Sequence, residues 1–558
     1  MSNQFIHKGD EESASGPKDI RNPHPRSISS GSNGFTTGVD DGVGEVNRAL
    51  KHRHLQMIGI GGAIGTGLWL GTGYALTTAG PAGLLIGFLL LGLAMIGVME
   101  SLGEMASMFP GSGSFPHFAG RFVDPALGFC VGINYAYGNA ISFAAELSAC
   151  AVVLQYWPDN GVSPAGWISI LYLPSIVIIA APVRFYGESE FYCSIMKILA
   201  FIVIVVTSVV VDLGGAPTGS RLGFTYWNNP GPWVQYSGIA GPGGRFLGVL
   251  SAIINAAYTY SGAECVILVA GETKNPVREI PRVVKKVWFR ILFFYILGVI
   301  LVGMLVSSAD PLLGSADDAS GSPYVIAFRN AGIPTLPHII NAVILVSAWS
   351  AGNSYAYASA RTLYSMALSG RFPKIFTKVN RFGLPWVAAA LTLAIGALAY
   401  LSISSGASKV FLWLSALTAQ GALLNWGSIC LSHLRFRAAL RANGMEPDDL
   451  PYRSKWLPYG SWYGMFCCYI LAFLSGFSVF VTGQWDTATF FANYLSIGIY
   501  GGCFLGWKLV KRTSFVKAAE VDLIHGRSTS KGHKEIRTIE KEEDRLKSPL
   551  RRAYEWIL

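Results

Sequence analysis

From about Asn47 onward, long apolar runs alternate with short polar stretches that carry Gly, Pro and basic residues. Twelve of the runs reach about 18 residues or more, enough to cross the ~30 Å hydrocarbon core of a bilayer as helix. They centre near residues 67, 91, 138, 174, 201, 257, 299, 348, 395, 422, 471 and 498. The run near 348 is overlong, as a tilted helix is. Residues 1–46 are polar and rich in Gly, Ser and Asp, and read as a disordered tail. Residues 513–558, mixed in charge around IRTIEKEEDRLK, read as a second tail. The pattern predicts an all-α membrane protein: an N-terminal tail over 1–46, a twelve-helix domain over 47–512 and a C-terminal tail over 513–558. No apolar stretch of signal-peptide type precedes the first run, so that helix is expected to act as the insertion signal.

Composition agrees. Hydrophobic residues make up 51% of the 558 and charged residues only 14%, too few to clothe several soluble domains. The net charge of +10 is concentrated between the apolar runs. With the N-terminus placed in the cytoplasm, the cytoplasmic loops carry seventeen Lys and Arg and the outer loops four: Arg221, Arg245, Arg329 and Lys409. The positive-inside rule therefore puts both termini in the cytoplasm and removes the nucleic-acid reading of the charge. All eight cysteines sit inside apolar segments, with no Cys-x-x-Cys or Cys/His cluster, so neither a metal site nor a disulfide framework is expected.

Two of the segments are interrupted. The first contains Gly59-Ile60-Gly61-Gly62-Ala63-Ile64-Gly65-Thr66-Gly67, and each glycine costs about 1 kcal/mol in a helix relative to alanine. One reading is close helix packing through small residues. The other is an unwound stretch at mid-membrane whose freed backbone groups line a cavity. The sixth segment carries a similar interruption, Tyr258-Thr259-Tyr260-Ser261-Gly262-Ala263-Glu264. Each break falls in the first helix of a five-helix half, the arrangement that points to the site of an inverted-repeat transporter. Amide N–H groups at a half-helix N-terminus suit a carboxylate, and loose carbonyls suit an ammonium group. A ligand with both on one carbon is an α-amino acid.

Several stretches carry a family resemblance: RALKHRHLQMIGIGGAIGTGLWLGTG, ELSACAVVLQYW, GESEFYCSIMKI, SGAECVILVAGETKNPVREIPR, SAGNSYAYASARTLYSMALSGRFPK and LSHLRFRAALRANG followed by LPYRS. In this order, from about Asn47 to Arg512, the chain resembles the fungal amino-acid permeases of the amino acid–polyamine–organocation superfamily. The resemblance implies a LeuT-like fold of two inverted five-helix repeats plus two further helices, and proton-driven amino-acid uptake across the plasma membrane. It places the substrate carboxylate on the amides of Gly65, Thr66 and Gly67, and the amino group on carbonyls of Ala63, Tyr258 and Ser261, with the aromatic at 258 as a cover. Trp69 and Ala263 depart from the common pattern, as do tyrosines at 258 and 260. These touch side-chain selectivity rather than the backbone site.

A charge at mid-bilayer costs about 3 kcal/mol on insertion scales, so each ionisable residue there needs a reason. Glu146 is either a neutral acid bonded between helices or a partner for a proton or the substrate amine. Glu264 either caps the restarted half-helix or gates and carries a proton. Lys197 lies about 15 Å along its helix from Gly187, too deep to snorkel easily to water. It is either a static tie between helices or the group that loads and unloads a proton; in some sodium-free relatives the lysine here stands in place of a sodium ion. Ser350, Asn353 and Thr418 either face the cavity or bond between helices. Glu100 and Glu104 are expected to pair with loop arginines, and His433 to sit at the interface. GETKNPVREIPRVVKK reads as an amphipathic loop that moves with gating, or as a plain positive anchor.

The function expected is secondary active transport: a proton–amino-acid symporter without cofactor, in the plasma membrane. An amino-acid sensor on the same scaffold is the alternative; such sensors usually carry a larger cytoplasmic tail than 46 residues. No nucleophile–base or metal cluster supports an enzyme, no P-loop supports ATP-driven pumping, and broken helices make an occluding site rather than a filter. The bilayer and, through Lys8 and Lys18 in the tail, the ubiquitination machinery are the further expected partners.

Overall fold

The structure, a computed structural model, describes residues 57, 64–110, 114–157, 161–270, 276–313, 321–380 and 383–527; the side chains of 114 and 268–278 fall outside that description. The described residues are helical, with turns and no strands. We label the main helices α1 (Gly67–Met108), α2 (Ser114–Phe122), α3 (Pro125–Leu154), α4 (Pro164–Ala180), α5 (Val183–Asp212), α6 (Pro242–Tyr260), α7 (Glu279–Leu305), α8 (Thr335–Leu368), α9 (Trp386–Ser405), α10 (Ala407–Ala442), α11 (Tyr459–Leu474) and α12 (Thr487–Lys511).

α1 holds two of the predicted membrane segments. It breaks at Gly80, whose φ of +73° suits a residue without Cβ, and Pro81 follows. Contacts along α6 show that the chain reverses there. Before the break Gly67 lies against Thr259, Gly71 against Asn255, and Gly248 against Thr78. After it the order runs the other way: Gly83 meets Val249, Gly87 meets Ala252 and Gly92 meets Tyr260. With α1 counted as two segments and α2 too short to cross, the described helices account for all twelve predicted runs.

Local chemistry sets the helix starts. Pro125 and Pro164 occupy first turns, behind Asp124 and Ser163, whose side chains accept from Ala126 N (2.8 Å) and Gly166 N (3.3 Å). The basic stretch after α6 is helical from Pro276 and forms the start of α7, so its second half is a helix rather than the expected loop.

α3 is buried nearly throughout and packs chiefly on α8 and α10, while α1 packs chiefly on α6. α5 and α12 expose an apolar face, with Leu199, Val203, Val206, Leu505 and Leu509 outward, as lipid contact requires. The inward stripe of α5 follows three- and four-residue steps: Tyr186, Glu190, Ser194, Lys197, Phe201, Ile204, Ser208 and Val211.

The first residues of the expected C-terminal tail are packed on the body. Val516 N donates to Val123 O at 2.9 Å, Arg121 holds the carbonyls of Asp522 and His525 at 2.8 Å each, and Val521 and Leu523 are buried. Thr513 Oγ1 and Lys508 Nζ reach the two oxygens of buried Asp124 at 2.9 and 2.7 Å. Residues 1–46 lie outside the described residues, and so do Lys8 and Lys18.

Candidate substrate site at the two helix interruptions

The first interruption is non-helical at Ile64 and Gly65, and helix resumes with Thr66 and Gly67. Ser347 of α8 pins it, donating to Ile64 O at 2.8 Å and accepting from Trp69 Nε1 at 3.1 Å. The tryptophan at 69 thus has a use for its N–H, and its ring packs edge-on against Tyr324. The second interruption is a turn over Ser261–Glu264, with Gly262 at φ +84°. Ser261 N donates to Tyr258 O (3.1 Å), and Ser261 O accepts from Tyr355 Oη (3.1 Å). Each carbonyl keeps a second lone pair.

The two breaks meet at Glu146. Its Oε2 accepts from Thr66 Oγ1 at 3.0 Å and its Oε1 from Tyr258 Oη at 3.0 Å, while the two hydroxyls lie 3.3 Å apart. The Thr66 backbone N–H faces the same carboxylate. All three residues are buried. A Cβ on Gly65 would stand 2.8 Å from Glu146 Oε1, so the glycine lets the unwound backbone close on the acid. At Gly67 a Cβ would stand 2.7 Å from Thr259 Cα, so that glycine serves the packing of α1 on α6. Close packing through a small residue is thus seen at Gly67, and unwound backbone at Ile64 and Gly65.

Of the expected site residues, Gly65, Thr66, Tyr258 and Glu146 come together directly, and Ser261 closes the turn after Tyr258. Ala63 lies outside the described residues. Glu264 belongs to a separate cluster: its Oε2 accepts from Trp426 Nε1 of α10 at 3.1 Å, and the N–H groups of Gly262 and Glu264 itself face the carboxylate, as in a cap. Lys197 is fully buried, donates to Ser350 Oγ at 3.0 Å and pairs with Glu190 Oε1 at 3.6 Å. Glu190 was legible only at a spacing of seven on the α5 stripe, beyond the three- and four-residue neighbours that pair on a helix surface. Thr418 bonds Ser142 of α3 at 3.1 Å, an inter-helix tie.

Toward the end of the bundle opposite the basic loops, Tyr258 floors a cavity of about 510 Å³ lined in part by Leu70, Asn255, Lys409, Phe411 and Trp413. Phe411 stands edge-on to Tyr258, ring centres 5.8 Å apart. At the basic end, Glu104 accepts two bonds from Arg437 (2.6 and 2.9 Å), one from Ser454 N (2.8 Å), and meets His433 Nε2 at 2.8 Å. Glu104 thus has the arginine partner expected of it, drawn from the end of α10. His433 is fully buried, with Glu104 on one ring nitrogen and Ser461 on the other at 2.8 Å each. Among the described residues Glu100 accepts from Tyr452 Oη (2.6 Å) and Trp288 Nε1 (3.2 Å) and from no arginine.

Two broken helices that meet at a buried acid, beside a cavity lined by Tyr258, are an arrangement that suits a membrane transporter. The chain belongs to the amino acid permease family, whose profile matches residues 54–520. It is 39% identical to the proline-specific permease of Emericella nidulans over 90% of this chain and 95% of that one. It is 38% identical to the dicarboxylic amino acid permease of Saccharomyces cerevisiae (91% and 84%) and 38% identical to that organism's lysine-specific permease (90% and 81%). Among solved structures, a mutant of the manganese transporter of Eremococcus coleocola matches with a TM-score of 0.55 at 11% identity, covering 82% of this chain and 94% of that one, a likeness of fold. The chain is accordingly a multi-pass membrane protein that carries amino acids across a membrane.

Proposed function

We propose that this chain imports amino acids across the plasma membrane by proton symport, with both termini in the cytoplasm. The observation that carries the reading is the meeting of both interruptions at Glu146. The substrate carboxylate goes to the amides of Gly65, Thr66 and Gly67. Its ammonium goes to the carbonyls of Tyr258, Ser261 and, outside the described residues, Ala63. Tyr258 covers the site. The concentration of Lys and Arg at one end supports the orientation. Glu146, Lys197 and Glu264 are the acids and base from which proton coupling and gating are drawn, Lys197 carrying the proton that biases the helices. Lys8 and Lys18 accept ubiquitin, which removes the permease from the surface.

The three relatives' names cover neutral, acidic and basic side chains. The direct test is therefore radiolabelled uptake by permease-deficient yeast, competed by each of the twenty amino acids at two pH values. Competition by a defined side-chain class, with faster uptake at the lower external pH, is the expected result. Uptake that no amino acid competes, or that ignores an imposed proton gradient, removes the reading. In vesicles, Lys197→Met is expected to keep binding and lose uphill accumulation; undiminished accumulation moves the proton to another group.

A further inference from the structure

Glu190 is a buried acid that the transport scheme above leaves without a task. It is 2% exposed, on the same inward stripe of α5 as Ser194 and Lys197. Side chains on a helix lean toward its N-terminus, so the long stem of Lys197 runs back along this stripe. Its Nζ comes to 3.6 Å from Glu190 Oε1. Ser350 of α8 bridges the same two groups by a shorter route. It accepts from Lys197 Nζ at 3.0 Å and donates to Glu190 Oε2 at 2.5 Å. A hydroxyl has one proton to give and lone pairs with which to accept, and here both capacities are aimed at an acid–base pair.

We propose that Lys197 and Glu190 form one proton-exchange unit, with Ser350 as the relay between them. An N–H bond of the ammonium breaks and its proton passes to Ser350 Oγ. The hydroxyl proton of Ser350 passes to Glu190 Oε2 in the same step. The products are a neutral amine and a carboxylic acid, and the total charge is unchanged. The exchange lets a proton rest inside the bundle without leaving an isolated charge there, which hydrocarbon surroundings penalise. It also gives the proton two addresses, so that it is taken up at one residue and given off at the other.

The unit reaches a third element. Ser194 Oγ stands 3.0 Å from Met57 O, just before the first interruption, and 3.4 Å from Glu190 Oε1. Its single proton serves one acceptor at a time. A proton on Glu190 Oε2 leaves Oε1 a neutral carbonyl oxygen, a weaker acceptor than the carboxylate, and so shifts Ser194 toward Met57. The proton on Glu190 thus bears on how firmly the segment before the break is tied to α5. The other titratable groups around the unit are Glu146, within electrostatic reach of Lys197; Cys193, beside both charges on α5; Cys265; and Tyr186, which donates to Ser354 of α8 at 3.0 Å and stacks on Tyr357.

The inference rests on the symport reading, and the experiment separates the two. Full-length protein is reconstituted in vesicles with the radiolabelled amino acid that wild type takes up fastest of the twenty. Two quantities are read: counterflow without a gradient, which needs a folded protein and a substrate site, and accumulation driven by an imposed inward proton gradient. Glu190→Gln and Ser350→Ala are expected to keep counterflow and lose gradient-driven accumulation. Ser350→Thr, which keeps the hydroxyl, is expected to restore it. A Glu190→Gln protein that accumulates like wild type overturns the relay, and so does an equal loss of counterflow and accumulation in Glu190→Gln and Ser350→Ala. A wild type indifferent to the gradient removes the symport reading and the relay with it; a responsive wild type beside a responsive Glu190→Gln removes the relay alone.

Discussion

Glu104 and Glu146 are both glutamates buried to 1% exposure or less, yet they are held in opposite ways. Glu104, at the basic end, is gripped by a guanidinium fork, an imidazole and a backbone N–H. Glu146, where the broken helices meet, is held by two neutral hydroxyls and the N–H of Thr66, with no cation in hydrogen-bond contact among the described residues. A buried charge that is matched by an opposite charge is fixed, because removing either partner strands the other. A buried acid met by hydroxyls is held by bonds of ordinary strength, each worth about 0.5–1.5 kcal/mol net, and those bonds can be exchanged for others. The first arrangement suits a joint, the second a site that must change partners during transport.

The largest expected effect breaks the comparison at the joint. Glu104→Gln leaves Arg437 and His433 without their anion and is expected to cost about 3–5 kcal/mol, seen as lost monodisperse protein in detergent size-exclusion traces. Glu146→Gln is expected to give the wild-type elution profile while uptake falls by about tenfold or more. Equal loss of folded protein in both variants would erase the distinction. Next in size, Arg437→Lys keeps the charge but not the two-pronged geometry; a loss of about 1.5–3 kcal/mol is expected, read as a lower unfolding midpoint with KM unchanged. The smallest effect sharpens the other side. Tyr258→Phe removes one hydroxyl from Glu146 and is expected to change KM by about two- to tenfold without moving the unfolding midpoint.

How much of this could be read from the chain follows the range of the interactions. Apolar runs, the end of the glycine run at 64–67 and the break at 258–264 are local patterns, and each has its counterpart among the described residues. Glu146 is a candidate because a charge at mid-bilayer is unusual, Thr66 and Tyr258 because the family resemblance places them at the two breaks. What the pattern left out are pairings between distant residues. Glu104 and Arg437 are 333 positions apart, and nothing near either names the other. Nothing near His433 in the chain names Glu104, 329 positions away, as its partner. The pairing of Lys197 with Glu190 is nearer, but it needs two turns of helix and a serine from α8 to close it.

Asp124 carries a different kind of information. It opens α3 early in the chain, yet Lys508 and Thr513, which hold its two oxygens, are made 384 and 389 residues later. During synthesis the ribosome must therefore deliver every other membrane helix before this carboxylate is neutralised. Until then Asp124 has the N–H of Ala126 in α3 itself as its partner, and its ion pair with Lys508 waits on α12. The last helix closes the molecule and, by the same contact, reports that translation has run through it.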